Sequence, residues 1–330
     1  LKGLGVAIIG SGSAVPAQIL TNQGLSSIVE TSDEWIESRT GMKQRHLSTV
    51  SESLSELSAK AALQALSLAS LEPEDIDLIV LATSTPDDLF GSACQVQKLI
   101  GAKRAVAFDL TAACSGFVFA LVTVAQFIRQ GVYRNVLVIG GDVLSRWVDW
   151  GDRTTCVLFA DGAGAVVCQA TSKQDRLLGF EICSDGTQNN SLNLPYQGVP
   201  TKLLESITIT KGNYQNINMK GKEVYRFAVE KVPEVIEKSL YRANLKIENV
   251  DWLILHQANQ RIIDAVAERL GLDKEKVISN IAKYGNTSAA SIPIALDEAV
   301  RQGKIQLNDT IAISGFGAGL TWGSAIFRWG

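Results

Sequence analysis

Thr111-Ala112-Ala113-Cys114-Ser115-Gly116 runs directly into Phe117-Val118-Phe119-Ala120-Leu121-Val122. The small residues leave room around a sulfur. The apolar run reads as a buried helix with Cys114 at or near its N-terminus. The positive end of a helix dipole favours thiolate over thiol. A thiolate there can attack a thioester or another acyl donor. Outward from this run, residues 77–81 and 136–139 read as buried strands, and residues 5–9 as a first strand. A further strand is expected within residues 155–168. Residues 54–69 have helical apolar spacing, and Ser53 with Glu56 forms a capping box. Residues 224–240 read as a helix with Pro233 as a point of kinking. Residues 184–197 read as loop, and residues 252–255 as a buried strand ending at His256. Strands alternating with helices define an α/β class.

The second half echoes the first. Arg129-Gln130-Gly131 recurs as Arg301-Gln302-Gly303, 172 residues on (301 − 129). Residues 77–81 resemble residues 251–255 at an offset of 174 (251 − 77), so a two-residue indel reconciles the segments. The offset of 172 places Cys114 opposite Asn286, which lies in Tyr284-Gly285-Asn286-Thr287-Ser288-Ala289-Ala290 before another apolar helical run. Two equivalent helix starts meeting near a pseudo-twofold axis would bring Cys114 and Asn286 together. His256 ends a strand, where functional groups of open α/β sheets gather. Asn259, in His256-Gln257-Ala258-Asn259, is a plausible helix N-cap.

Bulk properties narrow the function. The chain has 330 residues and a net charge of −3, which argues against a global pull on nucleic acid. The longest uncharged apolar run, about residues 116–128, is shorter than the roughly 18 residues a membrane span needs. No signal or transit peptide is visible in a chain that begins at Leu1. Five cysteines without a CxxC pair disfavour a disulfide scaffold or a metal site and fit a reducing compartment. Cys94, Cys156, Cys168 and Cys183 read as small buried residues. His46, in a charged run, reads as structural or surface. Gly10-Ser11-Gly12-Ser13-Ala14-Val15 lacks the third glycine and the distant acidic residue of a dinucleotide site. Asp161-Gly162-Ala163-Gly164-Ala165 lacks the lysine of a phosphate loop and more simply permits close strand–helix packing.

Cysteine, histidine and asparagine in one site would suit a cysteine protease, with histidine as base. They would equally suit decarboxylative carbon–carbon bond formation. There the cysteine takes an acyl group, and His256 and Asn286 donate hydrogen bonds to a malonyl thioester carbonyl as CO2 departs. The loop Ser314-Gly315-Phe316-Gly317-Ala318-Gly319 could supply a backbone N–H beside that of Cys114 for an oxyanion hole.

Six ordered motifs resemble those of the β-ketoacyl-acyl-carrier-protein synthase III family. They are Asp33-Glu34-Trp35-Ile36 with Arg39-Thr40-Gly41, Ala113-Cys114-Ser115-Gly116, Asp161-Gly162-Ala163-Gly164-Ala165, His256-Gln257-Ala258-Asn259, Gly285-Asn286-Thr287-Ser288-Ala289 and Gly315-Phe316-Gly317-Ala318-Gly319. The resemblance runs nearly end to end. It implies a thiolase-like fold of two duplicated halves in five α/β/α/β/α layers, with residues 1–172 carrying the nucleophile and residues 173–330 carrying His and Asn. It implies Cys114 as nucleophile, His256 and Asn286 in decarboxylation, and the N–H groups of Cys114 and Ala318 as the oxyanion hole. Many relatives have glycine at the Ala318 position. Trp35 and Arg153 match residues that sandwich the adenine of coenzyme A. Arg39 and Thr40 belong to the same end, and Asn259 faces the pantetheine arm. Phe90 and Phe316 match acyl-pocket positions, Phe90 reaching across a homodimer. Arg226, Arg261 and Arg269 match or neighbour carrier-docking positions, although Glu268 stands where some relatives carry lysine.

By that resemblance the substrates are a short acyl-CoA and malonyl-acyl carrier protein. No cofactor is held permanently, coenzyme A thioester being a substrate, and the expected location is cytoplasmic or plastid stroma. Other readings are a same-fold acyltransferase of secondary metabolism, a 3-hydroxy-3-methylglutaryl-type synthase, a chalcone-type synthase, or a catalytically silent thiolase-like scaffold dimer. Elongating condensing enzymes use two histidines, which Asn286 argues against.

Overall fold

A computed structural model describes residues 3–330. Two five-stranded mixed sheets form its frame. The first contains β1 (Gly5–Ala14), β2 (Leu78–Ala82), β3 (Val106–Leu110), β4 (Asn135–Val143) and β5 (Asp161–Thr171) in the order β1-β5-β4-β2-β3. The second contains β6 (Leu177–Ser184), β7 (Trp252–Leu255), β8 (Val277–Ile278), β9 (Thr310–Gly317) and β10 (Thr321–Arg328) in the order β6-β10-β9-β7-β8. The two orders are the same when each strand is matched to the one five places later. Pairing sense matches too. β2 is parallel to β3 and β4, and β7 is parallel to β8 and β9, while the remaining neighbours are antiparallel.

Among the described residues, seven helices have eight residues or more: α1 (Asp33–Thr40), α2 (Leu54–Ala69), α3 (Ala93–Ile100), α4 (Gly116–Arg129), α5 (Gly221–Arg242), α6 (Gln260–Leu270) and α7 (Ser291–Arg301). Side chains alternate across a strand, so Leu78, Val80 and Ala82 of β2 face a core shared with α4 and α7, whereas Ile79 and Leu81 face α2 and α3. The shared core also takes Ile254, Ile311, Ile313 and Phe327 from the second sheet. Helices α5 and α6 cover that sheet's other face through Phe227, Ile236, Ile263 and Val266. The result is five layers, helix–sheet–helix–sheet–helix. A further apolar cluster joins Ile36, Met42, Leu144, Val148 and residues 156–159 above the helix starts.

Local signals hold where the physics is local. The Ser53–Glu56 capping box is formed at the start of α2. Asn259 caps α6, accepting from Arg261 N–H at 2.9 Å. Helix α5 runs through Pro233 without a break in its assignment. The strand expected within residues 155–168 begins only at Asp161, because residues 155–158 form turns. Residues 184–197 include the start of an unanticipated hairpin, Tyr196–Leu204 with Ile207–Tyr214, whose residues are mostly exposed. Cys156 and Cys168 are buried as expected, but Cys94 is exposed and Cys183 half-buried. Cys94 is the second residue of the short helix α3, beside the edge strand β3, where its sulfur lies 3.6 Å from Ala107 O. His46 is buried, with Nδ1 at 2.7 Å from Pro16 O.

The two glycine-rich decoys are packing devices. Cβ atoms at Gly10 and Gly12 would stand 2.3 Å from Ala65 O and 2.2 Å from Ala61 O of α2. The alternate residues, Ser11 and Ser13, donate to the buried Asp297 carboxylate of α7 at 3.0 and 2.6 Å. A Cβ at Gly164 would lie 2.8 Å from Ile294 N. β1 and β5 thus touch helix backbone, and no phosphate cradle is built. Gly10→Ala should lower stability by about 1–3 kcal/mol through overpacking. A urea titration with an unchanged midpoint would contradict this contact.

Candidate active site

Cys114 lies in a 3-10 turn, Ala113–Ser115, leading into α4. The matching turn Ser288–Ala290 leads into α7. Both turns begin on a residue with positive φ, Ala113 at 46° and Ser288 at 52°. They press on each other: a Cβ on Gly116 would be 3.7 Å from Ala289 Cβ. The end of β9 closes from the other side. Cβ atoms at Gly315 and Gly317 would lie 3.1 Å from Cys114 O and 2.6 Å from Cys114 N. Only glycine at 317 leaves the approach to that N–H clear of a side chain. Thr321 Oγ1 donates toward Ala112 O at 3.1 Å or Ala318 O at 3.0 Å, tying the cysteine turn to the loop after β9. Ala318 lies outside the positive-φ set, so its Cβ sits without strain.

One six-residue segment, 286–291, gathers the expected trio. Ser288 Oγ donates to Cys114 Sγ at 3.3 Å. Ser288 N–H donates to Asn286 Oδ1 at 2.9 Å, which leaves the amide Nδ2 as the donor end of Asn286. Ser291 Oγ sits 2.7 Å from His256 Nδ1 and accepts from Gln257 N–H at 3.2 Å. Asn286 is fixed by its backbone, giving its carbonyl to Ala160 N–H at 2.8 Å and its N–H to Leu158 O at 3.0 Å. His256 is held by its N–H to Ser314 O and by the Phe316 ring at 5.4 Å. Cys114, His256 and Asn286 are 7%, 1% and 6% exposed.

Burial sets the electrostatics. Desolvation pushes the Cys114 thiol up to about 12, with the Ser288 hydrogen bond pulling the other way and the Asp142 charge adding to the rise. This desolvation opposes the thiolate that the helix dipole favours. Desolvation also carries His256 down to about 3, so its ring is neutral at physiological pH.

The coenzyme A residues expected from the resemblance are less uniform. Arg153 stacks directly on Trp35, 5.0 Å from guanidinium carbon to ring centroid, and donates to Glu30 O at 2.9 Å. An adenine between two planes needs roughly 7 Å, two contact distances. Thr40 is buried, and its hydroxyl donates to Ile36 O at 2.7 Å and accepts from Met42 N–H at 3.0 Å. It ends α1, and its hydroxyl is taken up within the chain. Arg39 is exposed, and its carbonyl accepts from Asn259 Nδ2 at 3.0 Å. Phe90 is 98% exposed, whereas Phe316 is buried against His256 and Trp322 strand neighbours. Arg226, Arg261 and Arg269 are all exposed along α5 and α6, with Arg261 over the Tyr225 ring. Sequence reasoning missed Ser288, Ser291, Thr321 and Asp142. Asp142 had a visible signal, an acidic residue inside an otherwise apolar strand.

Two like mixed sheets enclosing paired helices, with Cys, His and Asn at the meeting of the helix starts, define a thiolase-like condensing acyltransferase. The family pattern described as 3-Oxoacyl-[acyl-carrier-protein (ACP)] synthase III matches residues 108–186, and its C-terminal counterpart matches residues 240–329. The chain is 69% identical to a Microcystis aeruginosa beta-ketoacyl-[acyl-carrier-protein] synthase III over 332 residues, covering 100% of both. It is 66% identical over 330 residues to the Nostoc protein of the same name, again covering 100% of both. The crystal structure of 3-oxoacyl-[acyl-carrier-protein] synthase III from Aquifex aeolicus matches with a TM-score of 0.91 at 45% identity, over 98% of this chain and 100% of that one. The chain belongs to the β-ketoacyl-acyl-carrier-protein synthase III family. It is a condensing enzyme that initiates fatty-acid synthesis.

Because His256 is neutral when folded and an unfolded histidine titrates near 6.5, its ring 15N signals should stay constant from about pH 5 to pH 8. The sign for stability follows. As pH falls below 6.5 the unfolded chain binds a proton that the folded site refuses, so stability falls toward acid. With only two histidines in the chain, ring-labelled NMR reads this directly, and a midpoint for His256 near 6.5 would contradict the buried, neutral ring.

Proposed function

We propose that the enzyme transfers a short acyl group from an acyl-CoA to Cys114 and condenses it with malonyl-acyl carrier protein. In loading, Cys114 Sγ forms a thioester with the acyl carbon, the carbon–sulfur bond to coenzyme A breaks, and the thiol proton leaves with the coenzyme A sulfur. In the second stage CO2 departs from the malonyl thioester and leaves an enolate. His256 Nε2–H and Asn286 Nδ2–H donate to its oxygen. The enolate carbon attacks the acyl-cysteine, the tetrahedral oxyanion rests on the N–H groups of Cys114 and Ala318, and the cysteine leaves as thiolate and takes a proton from water. Products are 3-oxoacyl-acyl carrier protein, CO2 and coenzyme A. The observation that carries this reading is the segment 286–291, whose Ser288 contacts Cys114 and Asn286 and whose Ser291 contacts His256.

Ser291 supports the donor role of His256. Its oxygen accepts from Gln257 N–H, and its own hydrogen can turn to Nδ1, which keeps the ring proton on Nε2. Burial strengthens each donor, one such group being worth about 3–4 kcal/mol. At the coenzyme A end, Arg153 leaves Glu30 O and swings off Trp35 to admit the adenine, with Arg39 and Asn259 flanking the path. Thr40 supports this region as a helix terminus.

A second copy of the chain completes the molecule. β3 pairs on one side only, and Val106, Phe108, Leu89 and Phe90 lie exposed beside it. An uncovered apolar edge strand is a pairing template, so we assign the homodimer contact here, with Phe90 reaching the partner. The exposed arginines of α5 and α6 offer a local positive face to an acidic carrier protein despite the net charge. We place the two halves at residues 1–172 and 173–330, and the enzyme in the cytoplasm. No helix among the described residues is long and apolar enough to cross a membrane.

Cys114→Ala should abolish acyl loading seen by intact mass, and retained loading on that variant would refute the nucleophile. His256→Ala should still be acylated, yet release CO2 from malonyl thioester roughly 100- to 1000-fold more slowly. Normal CO2 release by the variant would remove its donor role.

A further inference from the structure

Both strand registers place Asp142 and Gly317 at equivalent positions of the two halves. Asp142 of β4 pairs Gly162 of β5, and Gly317 of β9 pairs Thr321 of β10. The turns match at the same offset of 175 (317 − 142, 289 − 114), which makes Ala289 the counterpart of Cys114 and Ser288 that of Ala113. In one half a glycine stands over the Cys114 N–H. In the other a carboxylate stands over the Ala289 N–H and accepts it at 3.3 Å on Oδ2. Asp142 therefore occupies, by duplication, the place an oxyanion takes at Cys114.

Asp142 is fully buried, and its oxygens are unequally served. Oδ1 accepts from Thr83 Oγ1 at 3.1 Å, Ser84 N–H at 2.8 Å and Thr85 Oγ1 at 2.8 Å. Oδ2 has only the long Ala289 N–H bond, and it faces the turn that carries Ser288. The Ser288 hydroxyl on that turn donates to the Cys114 sulfur at 3.3 Å.

We propose that Ser288 is a catalytic donor to the Cys114 sulfur during acyl loading, and that Asp142 is its positioning residue, holding the Ser288–Ala289 turn. In the resting site Ser288 Oγ points its hydrogen at the sulfur while Asp142 Oδ2 holds the turn through the Ala289 N–H. As loading proceeds the thiol proton departs with the coenzyme A sulfur. The Ser288 hydrogen stays on its oxygen, and its bond to the sulfur strengthens as negative charge develops there. Nothing is oxidised and no proton is stored. The directions at the thiol agree, Ser288 favouring the ionised form and Asp142 opposing it. The ionisable groups facing the cluster are Cys114, Asp142 on β4 and His256 after β7. The two turns, β9 and residues 83–85 carry no others.

This inference rests on Cys114 being the acylated residue. Wild-type protein that takes no acyl group from acetyl-CoA would overturn that reading first. On protein that loads, Ser288→Ala and Ser288→Gly are compared. Both lack the hydroxyl, but at φ 52° alanine is strained and glycine is not. Both should slow acetyl loading roughly 10- to 100-fold, as loss of a hydrogen bond to a charged group implies. Both should shift the iodoacetamide–pH profile of Cys114, followed by peptide mapping, to higher pH. Normal loading by either variant would overturn the proposal, and a defect in alanine alone would assign the effect to backbone strain. Asp142→Asn keeps the acceptor at Oδ1 and removes the buried charge that opposes ionisation of Cys114. The Cys114 alkylation profile should then move to lower pH. An unmoved profile in a variant with wild-type melting would remove Asp142 from the scheme, and if that variant does not fold the Ser288 pair alone decides.

Discussion

Everything at the site depends on two helix starts meeting backbone to backbone between two sheets. A Cβ on Gly140 would be 2.2 Å from Ala289 O, and one on Gly317 would be 2.6 Å from Cys114 N. No side chain fits in either gap. That is why both approaches to the centre are runs of Ala, Ser and Gly, and why the apolar bulk begins one turn later with Phe117 and Ile292. Close packing excludes water, and exclusion of water is what neutralises His256 and protonates Cys114. Geometry and electrostatics here have one cause.

The duplication is closest at the frame and loosest at the centre. Helix α4 has 14 residues and α7 has 11. Their C-terminal echoes, Arg129-Gln130-Gly131 and Arg301-Gln302-Gly303, are 172 residues apart. Their starts, Gly116 and Ser291, are 175 apart (291 − 116), the difference being the three residues that α7 lacks. Cys114 therefore faces Ala289 across the pseudo-twofold, and the expected pairing of Cys114 with Asn286 is corrected. Asn286 reaches the site from a position before the turn, through Ser288. Two copies of one turn became complementary by diverging. One took a cysteine under a glycine, and the other took hydroxyls and a carboxylate.

The sequence was legible wherever a short-range rule applied. The Ser53 cap, the Asn259 cap, the buried strand residues 78–81 and the helix after Cys114 each follow from neighbours within a few positions. The trio Cys114, His256 and Asn286 was legible through motif context, and the duplication through its echoes. Contacts between distant segments were not. Thr321 binding Ala112, Ser291 binding His256 and Asp142 taking the Ala289 N–H depend on strand order, which periodicity does not encode. Thr40 looked like a ligand contact because its motif is read as a string, yet its hydroxyl closes its own helix. The exposed hairpin was missed although Ile207-Thr208-Ile209-Thr210 alternates as strands do.

The dipole and burial arguments at Cys114 can be weighed by size. Raising a thiol from 9.0 to about 12 amounts to about 4 kcal/mol against ionisation. A helix terminus offers about 0.3–1 kcal/mol, and up to about 2 in partly buried geometries. The dipole alone therefore loses. A hydrogen bond to a charged group is worth about 1.5–3 kcal/mol, and the rise stands even with the Ser288 hydroxyl lowering it. A site built this way does not hold a standing thiolate exposed to oxidation or stray electrophiles. In the proposed reaction its sulfur becomes nucleophilic as an acyl thioester reaches it, and negative charge moves onto the carbonyl oxygen where the Cys114 N–H receives it. The depressed basicity of His256 completes the same logic, since a proton on that ring would attract the thiolate into an ion pair and leave Nε2 occupied before any enolate formed.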